Sequence, residues 1–184
     1  DANTIVGSRT DDVISVGEGD DVVRAGDGND EIFGFSGDDN LRGEDGHDII
    51  WGEDGIDTIR GGAGNDVIRG GNGGDVLLGG DGNDWLSGGL GVDDIRGGNG
   101  VDTADYTYSN AVWVIDLNSN GNAQGIAASG NGTETIRDVE NLVMGNGSDF
   151  LLGTDLANDF RANGGDDRLH GRGGNDTLRG NSGN

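Results

Sequence analysis

From Gly7 to Asp105 the chain divides into eleven windows of nine residues without a single insertion. The sixth position is Asp every time: Asp12, Asp21, Asp30, Asp39, Asp48, Asp57, Asp66, Asp75, Asp84, Asp93 and Asp102. The eighth is apolar every time, from Ile14 and Val23 to Ile95 and Ala104. The fourth is Gly in all but the first window, which has Thr10. Self-similarity at a fixed short period is the mark of a solenoid. A second run keeps the phase, with windows starting at Met144, Gly153, Ala162 and Gly171. Its sixth positions are Asp149, Asn158, Asp167 and Asp176. Residues 106–143 lose the phase, except for a degenerate window at 129–137 with Glu134 and Ile136 in the acidic and apolar columns.

Each window reads as six turn-forming residues followed by x-apolar-x, a short strand with one side chain inward and two outward. One apolar residue in nine cannot make a core alone. Stacked in register, the column becomes an apolar rod. Two windows make one coil, and coils stack at ~4.8 Å, so the first run spans roughly 26 Å. The expected fold is all-β, a solenoid of stacked two-strand coils in two blocks, 1–105 and 144–184, joined by an irregular β connector at 106–143. Within the connector, Val112 to Leu117 reads as strand and Asn118 to Gly132 as loop.

Stacking places Asp21, Asp39, Asp57, Asp75 and Asp93 on one edge, and Asp12, Asp30, Asp48, Asp66, Asp84 and Asp102 on the other. Like charges at such spacing repel. A cation between coils relieves them, and hard oxygen donors suit Ca²⁺ better than Mg²⁺, which keeps its waters. Zinc would want His or Cys, and His47 and His170 stand alone. The formal charge of −24 excludes binding to nucleic acid through phosphate neutralisation and docking on anionic lipid. No apolar run is long enough to span a membrane. There is no Cys, hence no disulfide or thiolate chemistry. The first residue is not Met, and the last residues stop inside the Gly-rich pattern, so the chain reads as a piece of a longer protein. No nucleophile–base pairing emerges, and no enzyme activity is expected of the chain itself.

The pattern Gly-Gly-x-Gly-x-Asp-x-apolar-x, as in Gly61 to Arg69 and Gly70 to Leu78, resembles the repeat of RTX proteins. The resemblance implies an all-β, right-handed parallel β-roll with bound Ca²⁺. It implies that each ion lies between windows 18 residues apart. The earlier window would give carbonyls from its second and fourth positions plus its Asp. The later one would give carbonyls from its first and third positions plus its Asp. Thus Gly26, Gly28 and Asp30 would face Gly43, Asp45 and Asp48, and Gly62, Gly64 and Asp66 would face Gly79, Asp81 and Asp84. Further implied donors on the early windows are Gly17, Gly19, Gly37, Gly46, Gly52, Asp54, Gly55, Gly61 and Ala63. On the later ones they are Gly70, Gly71, Asn72, Gly73, Gly80, Gly82, Gly88, Gly97 and Asn99. Asp149/Asp167 and a weaker Asn158/Asp176 belong to the second block. Some windows depart from the pattern: Phe35, Glu44 and Glu53 replace the second Gly, and Val16 and Ala25 the first. In all, about nine to eleven Ca²⁺ are expected, bringing about +18 to +22 against the chain's own charge. The resemblance also implies a secreted, extracellular or cell-surface protein of bacterial type, exported by one-step (type I) secretion and folding where Ca²⁺ is abundant.

The outward faces offer a binding surface or plain scaffolding. One sheet stacks Arg24, Arg42, Arg60 and Arg96, a row of guanidinium forks able to meet an acidic polysaccharide or to act as counter-charge for the Asp ladders. The other carries Phe33 and Trp51, able to stack on sugar rings or on a neighbouring domain of the parent chain.

Overall fold

The computed structural model describes residues 1–117, 123–127 and 133–183. Among the described residues all regular structure is β, and no helix is long and apolar enough to cross a membrane. The first strands are β1 Thr4–Val6, β2 Val13–Glu18, β3 Val22–Asp27, β4 Glu31–Ser36, β5 Asn40–Asp45 and β6 Ile49–Asp54. There follow β7 Thr58–Ala63, β8 Val67–Asn72, β9 Val76–Asp81, β10 Trp85–Leu90, β11 Asp94–Asn99 and β12 Thr103–Asp105. The connector holds β13 Trp113–Asp116, β14 Ala123–Ala127 and β15 Thr133–Arg137. The remainder are β16 Asn141–Val143, β17 Phe150–Leu152, β18 Asp159–Arg161, β19 Arg168–His170 and β20 Thr177–Arg179.

Odd strands from β1 to β11 stack in one parallel sheet and even strands from β2 to β12 in another. Each pairs with the strand 18 residues away, as Val23 with Leu41 and Ile32 with Ile50. This is the parallel β-roll read from the sequence. The eighth-position column from Val23 to Ala104 is fully buried between the sheets. The strands are longer than three residues, however. They run on through the first three positions of the following window, so only positions four to six turn. The ladder skips position one and resumes at positions two and three, as Gly26 with Glu44 and Asp27 with Asp45. Positive φ at position two bends the chain there without ending its pairing.

The loop expected from Asn118 to Gly132 is corrected in part. Its middle, β14, is a strand paired antiparallel to both β13 and β15. The physical reason is backbone satisfaction: β15 continues the first block's sheet and β13 leads the second's, so β14 fills the gap between their edges. Residues 118–122 and 128–132, the rest of that expectation, lie outside the described residues. The other sheet passes straight from β12 to β16 to β18.

Candidate metal sites

Ten consecutive column residues, Asp21 to Asp102, are each at most 2% exposed. Their two carboxylate oxygens have different fates. Oδ1 accepts the amide of the residue one coil earlier, Asn3 for Asp21 and an Asp for the rest: Asp48 Oδ1 from Asp30 N–H and Asp66 Oδ1 from Asp48 N–H, both at 2.8 Å. Oδ2 is buried in all ten, and in Asp149 and Asp167, with no hydrogen-bond donor. A buried ionised oxygen without a partner is too costly to persist unless something else compensates it.

What surrounds those oxygens is more oxygen. A Cβ on Gly43 would overlap Asp48 Oδ2 and lie 2.9 Å from the carbonyl oxygen of Gly61, one coil on. Gly61, beside Asp66 Oδ2 and the Gly79 carbonyl, repeats the arrangement. First-position Gly thus leaves room around a cradle of carboxylate and carbonyl. The carbonyls of Glu44 and Gly46 reach toward Gly62 and Gly64 in the next coil. The third-position carbonyl already accepts an amide from the preceding coil, as Asp45 O from Gly28 N–H at 2.9 Å, and keeps one lone pair. Asp carboxylates and turn carbonyls offer oxygen donors, the kind that Ca²⁺ takes. Among the described residues no three His, Cys, Asp or Glu side chains cluster as a metal site.

Without a cation, the protein makes these carboxylates poor acids. Burial is the main cause. It pushes Asp48 and Asp57 up to about 6, and Asp66, Asp75 and Asp102 up to about 7, with neighbouring column carboxylates adding to the rise. Asp149 is likewise pushed up to about 6.

The degenerate windows sort themselves. Phe35, Glu44 and Glu53 adopt φ of 75°, 82° and 81°, so the second-position bend survives loss of Gly at a steric cost. Asp12 differs from the rest: Ser8 N–H and Oγ donate to its Oδ2 at 2.7 and 2.9 Å, closing that carboxylate on its own turn. Asn158 does likewise with Thr154 N–H at 2.9 Å.

Four features add to the repeat reading. Glu134, noted as an in-column acid, aligns with Asp93 through the Asp94–Thr135 register; it is 2% exposed, its Oε2 lacks a donor, and burial pushes it up to about 8. Glu140 stands opposite Asp102; its signal was Glu-Asn-Leu, an acid two residues before an apolar residue. A fifth-position ladder runs along one edge, where Asp11, Asn29, His47, Asn65 and Asn83 each accept the amide one coil on. Arg172 donates to the carbonyls of both Leu117 and Gly153.

The Arg row is real as a register, with one break: Arg24, Arg42 and Arg60 align, Leu78 interrupts, and Arg96 continues into Arg137. Its members do not neutralise the Asp column. Arg96 and Arg137 pair with Asp94, a seventh-position residue. Among the described residues no ion pair joins Arg24, Arg42 or Arg60 to a carboxylate. On the opposite sheet Phe33 and Trp51 stack at 4.6 Å with planes 2° apart. Beyond them a cleft of about 410 Å³ is lined by Trp51, Arg69, Leu90 and Tyr108 among others.

Stacked coils with an oxygen-lined Asp column define a repeat-built, calcium-binding module. The chain matches the RTX calcium-binding nonapeptide repeat in four copies, at residues 1–32, 33–68, 69–104 and 152–184, and it belongs to that family. No curated protein matches it.

Proposed function

We propose that Ca²⁺ ions lodge between successive coils and that their binding folds the chain outside the cell. The observation that carries this is the run of donorless, buried Oδ2 atoms from Asp21 to Asp102. In the first block the ions take the Asp pairs 18 apart, from 12/30 to 84/102, with first-position Gly such as Gly43 and Gly61 leaving space for them. Asp12, already closed by Ser8, makes the first site the weakest. In the second block Asp149 and Asp167 take another ion. Low cytoplasmic Ca²⁺ leaves the carboxylates unopposed and the chain unfolded, hence exportable. Millimolar Ca²⁺ outside folds it, at the ~10⁻⁴–10⁻³ M affinities of extracellular modules. The module, two roll blocks about a β connector, then stabilises or presents a larger secreted protein. Circular dichroism of chelated protein, then with Ca²⁺ added, tests this. We expect a coil spectrum turning to β; an unchanged spectrum refutes the reading.

A second reading is supported by the guanidinium groups of Arg24, Arg42 and Arg60, stacked in register and free of carboxylate partners among the described residues. Such a row suits the carboxylates of an acidic polysaccharide. Titrating alginate and a neutral glucan against Ca²⁺-loaded protein, with Arg42→Ala/Arg60→Ala as control, tests it. Alginate binding lost in the double variant supports it, and equal behaviour of the two glycans ends it.

A further inference from the structure

The sequence repeat stops at Asp105, yet the geometry of the Asp column does not. One coil beyond Asp102, where the eighteen-residue partner would be, stands Glu140, brought there by pairing of Thr103 with Asn141 and Ala104 with Leu142. The Asp102 amide donates to Glu140 Oε2 at 2.9 Å. One coil earlier the Asp84 amide donates to Asp102 Oδ1 at 2.8 Å. The two contacts are equivalent, although one spans 18 residues and the other 38.

The carbonyl side of the cradle is rebuilt as well. At Gly79, the space a Cβ would fill is bounded by Asp84 Oδ2 and the carbonyl of Gly97. At Gly97 the same space is bounded by Asp102 Oδ2 and the carbonyl of Asp138. Asp138 sits at φ 53°, an unusual value for a residue other than Gly, in the turn between β15 and β16. Asp102 is fully buried and its Oδ2 has no donor.

We propose that Asp102, Glu140 and the backbone carbonyl of Asp138 form a divalent-cation site, of the hard, oxygen-only class that Ca²⁺ fills, which fastens the connector to the last coil of the first block. It rests on the reading of the repeats as Ca²⁺ sites but adds a site that no nonapeptide encodes. Two carboxylates and a carbonyl meet there with no donor on Asp102 Oδ2, the condition found throughout the column. On the far side the column changes character. Asn158 Nδ2 donates to the Glu140 carbonyl at 2.7 Å and its Oδ1 accepts the Thr154 amide, so the residue one coil on is uncharged and tied to its own turn. Glu140 is therefore the last acid of that run with a carboxylate behind it.

Native mass spectrometry of the whole chain in Ca²⁺, which resolves single ions, tests the site. Glu140→Gln keeps an oxygen to accept the Asp102 amide and should carry one ion fewer than wild type with the same β spectrum. Asp138→Asn should keep the full count, because only its carbonyl is used. A full count in Glu140→Gln overturns the proposal, as does loss of an ion in Asp138→Asn. Should Glu140→Gln fail to fold, Glu140→Asp decides. Its shorter carboxylate should release one ion earlier than wild type under rising EGTA, and an unchanged release profile overturns the site. Asp57→Asn separates this from the parent reading. A count unaffected by Asp57→Asn removes the repeat sites, whereas a count lowered by Asp57→Asn but not by Glu140→Gln removes only the junction site.

Discussion

The Arg172 guanidinium donates to the carbonyl of Gly153 at 2.7 Å and, through the same nitrogen, to that of Leu117. These are first-position carbonyls of two adjacent coils, the kind that border the Asp cradles of the first block. Its other terminal nitrogen pairs with Asp116 at 2.6 Å. The chain thus supplies a cation of its own where the column residue, Asn158, has no charge. Arg172→Ala should destabilise the second block by about 2 kcal/mol, the scale of hydrogen bonds to a charged group. Adding Asn158→Asp should let an ion replace the guanidinium. We expect urea melts in Ca²⁺ to show the single variant weakened, and native mass spectrometry to count one more ion in the double variant than in the single.

In the proposed sites Asp66 serves two cradles, one with Asp48 and one with Asp84; its Oδ1 holds the Asp48 amide and its own amide goes to Asp84 Oδ1. Asp66→Asn keeps an oxygen for that amide but removes the charge from both. The Ca²⁺ midpoint of folding should rise by roughly tenfold, about 1.4 kcal/mol. Asp11→Asn, at an exposed turn, should leave it unchanged. Equal midpoints for the two variants, read by circular dichroism, would count against the cradle.

The Asp and apolar columns were legible because each is a single residue type at a fixed spacing, and stacking converts spacing directly into register. The positions of Glu134 and Glu140 opposite Asp93 and Asp102 were harder to read. A chain that leaves the phase for about forty residues can re-enter at many registers, and only backbone pairing of Thr135 and Asn141 selects one. β14 was hidden because its neighbours, not its own residues, require a strand there. The fifth-position ladder leaves no pattern in the sequence because Asp, Asn and His fill one role, a side-chain acceptor for the next amide, so no single letter repeats. Arg172 reads as an outlier in a Gly position until its carbonyl partners are seen.

Glu44 holds the left-handed region at φ 82°, beside Gly62 at φ 128° in the next coil. A side chain costs about 1–2 kcal/mol there, and Gly removes that strain while giving back some chain entropy. Glu44→Gly should therefore raise the stability of the Ca²⁺-loaded chain by up to about 1 kcal/mol, with Phe35→Gly and Glu53→Gly alike. The reverse change, Gly62→Glu, should lower it. Thermal melts at fixed Ca²⁺ check the signs; a loss of stability in Glu44→Gly would mean that its side chain makes contacts outweighing the strain.

Acid should act in opposite directions with and without Ca²⁺. In the metal-free fold, burial raises Asp48, Asp57, Asp66, Asp75 and Asp102 to about 6–7, whereas an unfolded Asp titrates near ~3.9. Between those values the folded chain binds more protons than the unfolded one, so its stability falls as pH rises. The contribution is fully present below about pH 4 and gone above about pH 7. Protein stripped on a chelating resin should thus be more β-structured at pH 4.5 than at pH 8. With Ca²⁺ present the sign reverses, because protons then compete with the ion for the same carboxylates. Circular dichroism across pH 4–8 in both conditions should give curves of opposite slope. A metal-free chain that gains structure toward pH 8 would show that buried, mutually repelling carboxylates are not what keeps it open.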